Sequence, residues 1–350
     1  MRLSELEQAE YKRYTSKYDF SQFLKNKTVL ITGSNGIVGS GLARWLIYEN
    51  DRKGNNTKII LSSRSPEKIP IYIEEKDNVA FCKFGEEKAL KENIDYIIHT
   101  ASPTSNKVFK NTPVESLCVI IDGTRSVLEY AKNHKECSVI YLSSEEVYGT
   151  PILLEPVNES YVGAIDSLSI RNCYPLGKKT AELLCRAYYE EYGVNVKIIR
   201  PTVIVGLFQP YDSVKIECEI LRCIVENKDL FLKSSGLTKK SVIYTLDAIS
   251  AVLTVLFKGE PGQAYNATDP ETYTTVRNRA ESLFNKFQPD LSVFIPEEDT
   301  SLAKGYLPQR AFLEDISNIK KLGWKPITPF EVLIKNDIKR LSLMKCAAQQ

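Results

Sequence analysis

Short hydrophobic runs alternate with longer segments of helical periodicity through the first 200 residues of the chain. The runs are rich in β-branched residues and few polar residues interrupt them, as is typical of strands covered by helices on both faces. We expect strands at 28–32, 59–62, 79–84, 96–100, 139–143 and 196–200, and helices at 37–50, 114–133 and 174–192. This alternation predicts an α/β fold with a Rossmann-type doubly wound parallel sheet.

The rhythm changes after residue 200, where proline and glycine separate shorter elements. We expect residues 1–200 to form a dinucleotide-binding domain. Residues 201–350 are expected to form mainly a smaller mixed α/β substrate-binding domain, with some segments returning to the first domain. Residues 1–25 precede the first strand and predict an N-terminal extension with one amphipathic helix.

The composition is that of a soluble globular protein, with 43% hydrophobic and 26% charged residues. The formal net charge of +2 is too small to favour binding to nucleic acid or to a membrane surface. Eight cysteines without a C-x-x-C pair indicate reduced thiols and predict neither a disulfide framework nor a metal site. Without an apolar run of about 20 residues or a signal-peptide pattern, the expected location is the cytoplasm.

The first predicted strand leads into a glycine-rich loop with G-x-x-G-x-x-G spacing, just where a helix begins. Its residues are Gly33, Ser34, Asn35, Gly36, Ile37, Val38 and Gly39. Glycine at such positions permits a tight turn and lets backbone N–H groups approach a pyrophosphate at the positive end of the helix. In this strand–loop–helix context, the loop predicts binding of a nicotinamide dinucleotide.

The end of the second predicted strand bears on which dinucleotide is bound. An acidic residue there accepts hydrogen bonds from the ribose hydroxyls of NAD, but this chain has Ser62, Ser63 and Arg64. The Arg64 guanidinium and the Ser63 hydroxyl suit a ribose 2′-phosphate, and this favours NADP over NAD. The alternative to binding the 2′-phosphate is that Arg64 stacks on the adenine ring or is a solvated loop residue.

A candidate catalytic pair lies on the third predicted helix. Tyr174 and Lys178 are four residues apart and so share one helix face. A nearby lysine charge favours the phenolate, which takes a hydroxyl proton while hydride leaves for the nicotinamide. Ser144, at the end of the strand at 139–143, can hydrogen-bond the reacting oxygen. Thr100, Ala101 and Ser102, after another strand, are small enough to pass close to the cofactor.

The motifs TGSNGIVG, IIHTAS, SSEEVYG, CYPLGKKTAE, RPTVIVG and GWKP occur in this order over residues 26–340. In this the chain resembles extended short-chain dehydrogenases/reductases of the NAD-dependent epimerase/dehydratase family. The resemblance implies an enzyme that oxidises a nucleoside-diphosphate sugar, most often at C4, with epimerisation, dehydration or decarboxylation as the net outcome. Within the family, CYPLGKKTAE is most similar to hexuronate decarboxylases and their capsule-cluster relatives.

The resemblance also assigns roles to single residues. Ser144, Tyr174 and Lys178 take the catalytic roles, with Glu146 as a base at C5 and Glu145 as an acid at C6. Tyr174 and Lys178 also contact the cofactor, as does Pro201. Substrate contacts are expected from Ser102, Thr104, Lys240 and Arg310, the last two near the phosphates. Lys240 replaces the usual arginine and keeps its charge but not its bidentate geometry, which argues against a hexuronate decarboxylase that relies on arginine there. Val203 replaces a common asparagine and Val205 an aromatic residue, so this wall of the substrate pocket departs from the family pattern.

Two alternative functions remain open at this point. An NADPH-dependent reductase of a nucleotide-linked keto sugar or ketose, giving a nucleotide-linked sugar or polyol, fits Ser63 and Arg64. A third possible function is a cofactor-binding scaffold without catalysis. The intact set of Ser144, Tyr174 and Lys178 argues against it.

A homodimer is expected through the Tyr174–Lys178 helix. There, Ala181, Leu184, Cys185 and Tyr188 form either an intersubunit stripe or part of the core.

Overall fold

The structure is a computed structural model that describes residues 4–71, 73, 77–86, 93–297 and 308–348 of the 350-residue chain. The strands are β1 (Thr28–Thr32), β2 (Lys58–Ser63), β3 (Val79–Lys83), β4 (Tyr96–His99), β5 (Ser138–Leu142), β6 (Asn195–Pro201), β7 (Val203–Val205), β8 (Leu230–Phe231), β9 (Lys239–Tyr244), β10 (Ala264–Ala267), β11 (Asp269–Thr275) and β12 (Val293–Phe294). The helices are α1 (Glu5–Lys17), α2 (Ser21–Leu24), α3 (Ile37–Lys53), α4 (Asn106–Asn111), α5 (Pro113–Asn133), α6 (Cys173–Tyr192), α7 (Ile216–Glu226), α8 (Thr245–Lys258), α9 (Val276–Phe287), α10 (Ser317–Lys321) and α11 (Phe330–Ala348).

The main sheet has seven parallel strands in the order β10-β6-β5-β4-β1-β2-β3. The chain leaves β1 in one direction through β2 and β3 and then returns to β4 on the other side. A crevice forms at this reversal, at the carboxyl ends of β1 and β4, where α/β folds bind ligands. The predicted Rossmann-type parallel sheet is confirmed.

Strand residues alternate between two hydrophobic cores, one on each face of the sheet. In β1, Val29 and Ile31 pack into a core with α3 and α8, whereas Leu30 packs into a second core with α5 and α6. Because successive side chains in a strand point to opposite faces, a run without polar residues is the expected sequence of a strand buried on both sides.

Residues after 200 contribute to two layers. Strands β11, β9 and β7 form a second, mixed sheet, and β8 pairs with β12. Strand β10, however, joins the edge of the main sheet beside β6, and the almost wholly buried helix α8 lies against β5 and β6.

The helix predicted near the N-terminus is α1, which begins with a capping box between Ser4 and Glu7. Tyr11 and Tyr14 are fully buried and both contact the Trp45 ring of α3. The Tyr14 hydroxyl also forms a hydrogen bond with Thr328. The extension therefore joins α3 to the C-terminal part of the chain.

Candidate active site

The glycine-rich loop follows β1 and packs closely against the end of β4. Gly33 has φ of 72°, and a Cβ atom there would lie 2.8 Å from the backbone of Ala101. A Cβ on Gly39 would lie 2.5 Å from the carbonyl oxygen of Gly33. Only glycine fits these positions, so the loop leaves backbone N–H groups uncovered at the start of α3, as binding a dinucleotide pyrophosphate requires.

Polar side chains of this loop tie it to the end of β2. The Ser34 hydroxyl lies 2.8 Å from the carbonyl oxygen of Ser62, and the Asn35 side-chain amide donates to the Ser63 hydroxyl at 2.8 Å. Ser63 is buried, whereas the neighbouring Arg64 is exposed. The structure thus places Ser63 and Arg64 beside the loop, with the Arg64 guanidinium on its solvent side.

The residues predicted to line the cofactor crevice follow β4 and end β6. The Thr100 hydroxyl donates to the Thr32 carbonyl at 2.6 Å, which fixes the chain next to the glycine loop. Ala101 and Ser102 continue along the crevice, Thr104 is exposed, and Pro201 is buried. The residues expected to bind the cofactor from the sheet thus lie at the carboxyl ends of β1, β2, β4 and β6.

Ser144, Tyr174 and Lys178 meet at the carboxyl end of β5. Ser144 is the N-cap of a short 3-10 turn, and its hydroxyl lies close enough to the Tyr174 phenol to lower the pKa of that phenol. The Lys178 ammonium donates to the Leu142 carbonyl at 2.6 Å and lies 5.9 Å from the centre of the Tyr174 ring. The three side chains that the sequence proposes as catalytic are therefore neighbours in space.

Burial dominates the ionisation of this group. It raises the pKa of Tyr174, to which the Glu146 charge adds, and it lowers the pKa of Lys178 to about 7. That the lysine charge favours the phenolate stays a prediction, because burial is the largest influence on both pKa values in this state.

Glu146 pairs with Arg171, a residue that the sequence analysis did not single out. The Arg171 Nη2 atom lies 3.1 Å from each Glu146 carboxylate oxygen. The sequence signal that could have identified Arg171 is its position three residues before Tyr174, just ahead of α6. The candidate base at C5 thus has a guanidinium partner.

Glu145 points away from Glu146 into the protein interior. Its carboxylate accepts hydrogen bonds from Arg310 at 2.6 Å and from the Thr202 hydroxyl at 3.1 Å. Burial is the largest single influence and raises its pKa, but the Arg310 and Lys240 charges and the hydrogen bonds to the carboxylate together outweigh it, and the net pKa is lowered. The role of Glu145 as an acid stays a prediction, and it requires the carboxylate to take up a proton during the reaction.

A second buried carboxyl group, Glu314, lies close enough to Glu145 for the two charges to interact. Among the described residues, none donates a hydrogen bond to either oxygen of its side chain. Burial and the Glu145 charge raise the pKa of Glu314, which favours its protonated form. Sequence reasoning missed this residue, because nothing in its local pattern distinguishes it from a surface glutamate.

The two cations predicted to contact the substrate phosphates are both engaged within the protein. Arg310 is bound to Glu145, and the Lys240 ammonium lies 2.7 Å from a carboxylate oxygen of Glu217. A role in phosphate binding remains a prediction for both residues, and it requires each to share or exchange its present carboxylate partner.

No three His, Cys, Asp or Glu side chains in the described ranges are grouped so as to hold a metal ion. Likewise, no helix in the part of the chain that the structure covers has the length and apolar character needed to cross a bilayer.

Comparison with known proteins identifies relatives along most of the chain. The UDP-glucuronic acid decarboxylase 6 of Arabidopsis thaliana is 26% identical over 314 residues, covering 87% of this chain and 85% of the relative. The dTDP-D-glucose 4,6-dehydratase of Dictyostelium discoideum is 30% identical over 257 residues, covering 68% of this chain and 57% of the relative.

Solved structures share the fold. DesIV, a dTDP-glucose 4,6-dehydratase from Streptomyces venezuelae solved with NAD and TYD bound, superposes with a TM-score of 0.77 at 20% identity, covering 92% of this chain and 98% of that one. The family model described as NAD dependent epimerase/dehydratase matches residues 29–268. The resemblance inferred from the motifs is thereby confirmed, and the chain belongs to the NAD-dependent epimerase/dehydratase family.

Proposed function

We propose that the protein oxidises a nucleoside-diphosphate sugar at one ring carbon, C4 by resemblance, and later reduces it again. The net outcome is epimerisation, dehydration or decarboxylation. The observation that carries the proposal is the meeting of Ser144, Tyr174 and Lys178 at the sheet edge that also holds the glycine-rich loop. Relatives named as decarboxylases and dehydratases of such sugars support it.

The glycine-rich loop would hold the phosphates of a nicotinamide dinucleotide through backbone N–H groups. When bound, this group would supply a hydride acceptor and donor for the sugar carbon. Tyr174 takes the proton of the sugar hydroxyl and returns it during reduction, and Ser144 orients the oxygen of that hydroxyl. Lys178 places positive charge beside the phenol whenever its amine is protonated.

The test is to incubate the purified protein with NAD or NADP and with UDP-glucuronate, UDP-glucose or dTDP-glucose. We expect transient absorbance of reduced nicotinamide in a single turnover, and a product with changed mass or stereochemistry by mass spectrometry and NMR. Lack of both signals with all three sugars, in protein that binds the cofactor, would contradict the proposal.

A second candidate function is an NADPH-dependent reductase of a nucleotide-linked keto sugar or ketose. The lack of a carboxylate at the end of β2 and the exposed Arg64 favour it, because both suit the 2′-phosphate of NADPH. This activity would be identified by the consumption of one NADPH for each 4-keto sugar nucleotide that is reduced, with no later reoxidation of the product.

We expect Arg64→Ala to weaken NADP binding by about 10- to 100-fold, because a charge-assisted hydrogen bond to the 2′-phosphate is lost. NAD, which lacks that phosphate, should bind with nearly unchanged affinity. Fluorescence titration of both dinucleotides measures the change, with Arg52→Ala on the exposed end of α3 as the control. Equal preference for NADP in wild type and Arg64→Ala would rule out this role of Arg64.

The expected partner is a second copy of the chain. Ala181, Cys185 and Tyr188 are buried in the chain's own core and Leu184 packs against it, which favours the core alternative for this stripe. Apolar residues one turn apart on the outer faces of the packed helices α5 and α6 are exposed instead: Val114, Cys118, Leu183 and Ala187. This pair of stripes supports dimerisation across α5 and α6.

Leu183→Asp is therefore expected to convert the dimer to a monomer, because two copies of the introduced charge would be buried at a two-fold interface. Light scattering coupled to size exclusion measures the mass. Leu154→Asp is the matched control, since Leu154 is an exposed leucine in a loop outside α5 and α6. A dimer that persists in Leu183→Asp would place the interface elsewhere.

A further inference from the structure

Arg171 has hydrogen-bonding capacity that the protein itself does not use. Its side chain is only 10% exposed. Among the described residues, none accepts a hydrogen bond from its Nε or Nη1 atom, and only Nη2 is bound, to Glu146. Buried donors without an acceptor are unfavourable, and guanidinium donors especially so. This arrangement indicates that an acceptor comes from a ligand.

Aromatic stacking fixes the position of this guanidinium. It lies over the Phe109 ring at 5.0 Å, and Phe109 in turn stacks on the Tyr174 ring with centroids 4.8 Å apart. Arg171 is thus one ring away from the candidate catalytic phenol. A ligand group bound by Arg171 therefore belongs to the reacting end of the sugar, and the phosphates are expected elsewhere, near Lys240 and Arg310.

The charges and hydrogen-bonding geometry of Arg171 and Glu146 indicate which class of ligand can bind there. Arg171 already binds one carboxylate, that of Glu146, and a planar guanidinium suits carboxylates geometrically. With Glu314 protonated, the charges of Glu145 and Glu146 are balanced by those of Arg310 and Arg171. The buried part of the site therefore carries no net negative charge that would repel an anionic sugar.

We propose that Arg171 determines specificity by binding a carboxylate carried on the sugar, so that the substrate class is a nucleoside-diphosphate hexuronate. The proposal rests on the proposed function, because it assumes that a sugar nucleotide occupies this site. The sugar carboxylate and Glu146 then share the same guanidinium.

The test compares the binding of UDP-glucuronate and UDP-glucose, which differ only at C6, by calorimetry in the presence of the dinucleotide. We expect wild type to prefer UDP-glucuronate, and Arg171→Gln to reduce the ratio of the two dissociation constants by about 10- to 100-fold. Arg171→Lys keeps the charge but not the planar geometry and is expected to lose part of the preference. Arg186→Gln removes an exposed charge on α6 and is the matched control.

Two results would overturn the proposal: no preference for UDP-glucuronate in wild type, or the same preference in Arg171→Gln. Should Arg171→Gln fail to fold, as judged by thermal melting, an unchanged preference in Arg171→Lys decides against it. Because these are binding measurements, they are separate from the hydride-transfer assay. A protein that discriminates through Arg171 but transfers no hydride would contradict the proposed function and leave this inference standing.

Discussion

Tyr174→Phe is expected to lower kcat by about 10²- to 10⁴-fold, because the variant has no phenol to exchange a proton with the sugar hydroxyl. The loss should affect kcat far more than cofactor affinity, since the ring remains and still stacks on Phe109. Turnover of whichever sugar nucleotide the wild type accepts, together with a dinucleotide titration, measures both quantities.

Tyr188→Phe provides the control on the same helix. Tyr188 is buried and its hydroxyl donates to Glu129, so this variant also removes one hydroxyl from α6, but away from the candidate site. Its kcat should be close to that of wild type. If Tyr174→Phe turned over as fast as Tyr188→Phe, the assignment of Tyr174 as the catalytic acid and base would be wrong.

Arg200→Leu is expected to reduce the free energy of unfolding by about 3–5 kcal/mol, because it leaves the Glu182 carboxylate buried without its partner. In the wild type, Arg200 donates two hydrogen bonds to Glu182, at 2.8 and 2.7 Å, and a third to the Tyr148 hydroxyl at 2.9 Å. These contacts join α6 to β6, and they also hold the turn after β5. Urea unfolding followed by circular dichroism measures the change.

Arg186→Leu is the comparison for this prediction, since Arg186 also pairs with a glutamate of α6 but is far more exposed, and exposed pairs contribute about 0–1 kcal/mol. The double variant with Glu182→Leu and Arg200→Leu should recover part of the lost stability, because no uncompensated charge is left. Equal destabilisation by Arg186→Leu and Arg200→Leu would show that burial of the Arg200 pair contributes nothing.

Local patterns in the sequence were sufficient to predict the fold. The strands of the first 200 residues lie within about two residues of their predicted bounds, because a strand buried on both faces needs an unbroken apolar run. The glycine-rich loop was equally readable, since its close contact with Ala101 excludes any larger residue at Gly33.

The carboxylate network of the candidate site could not be predicted from local sequence patterns. Glu145 and Arg310 are 165 positions apart, and no periodicity connects them. Which partner an ionisable group finds, and how deeply it is buried, depends on the packing of distant segments. For the same reason, the sequence predicted Lys178 as a site residue but could not predict its pKa, because that pKa is set mainly by burial.

The N-terminal helix has a consequence for how the protein is made. Tyr14 is synthesised long before its partner Thr328, which lies 314 positions later in the chain. The contacts of helix α1 with Trp45 can form early, but the hydrogen bond between Tyr14 and Thr328 has to wait until this later segment has been synthesised. A chain that stops before residue 328 therefore cannot hold helix α1 as the longer chain does.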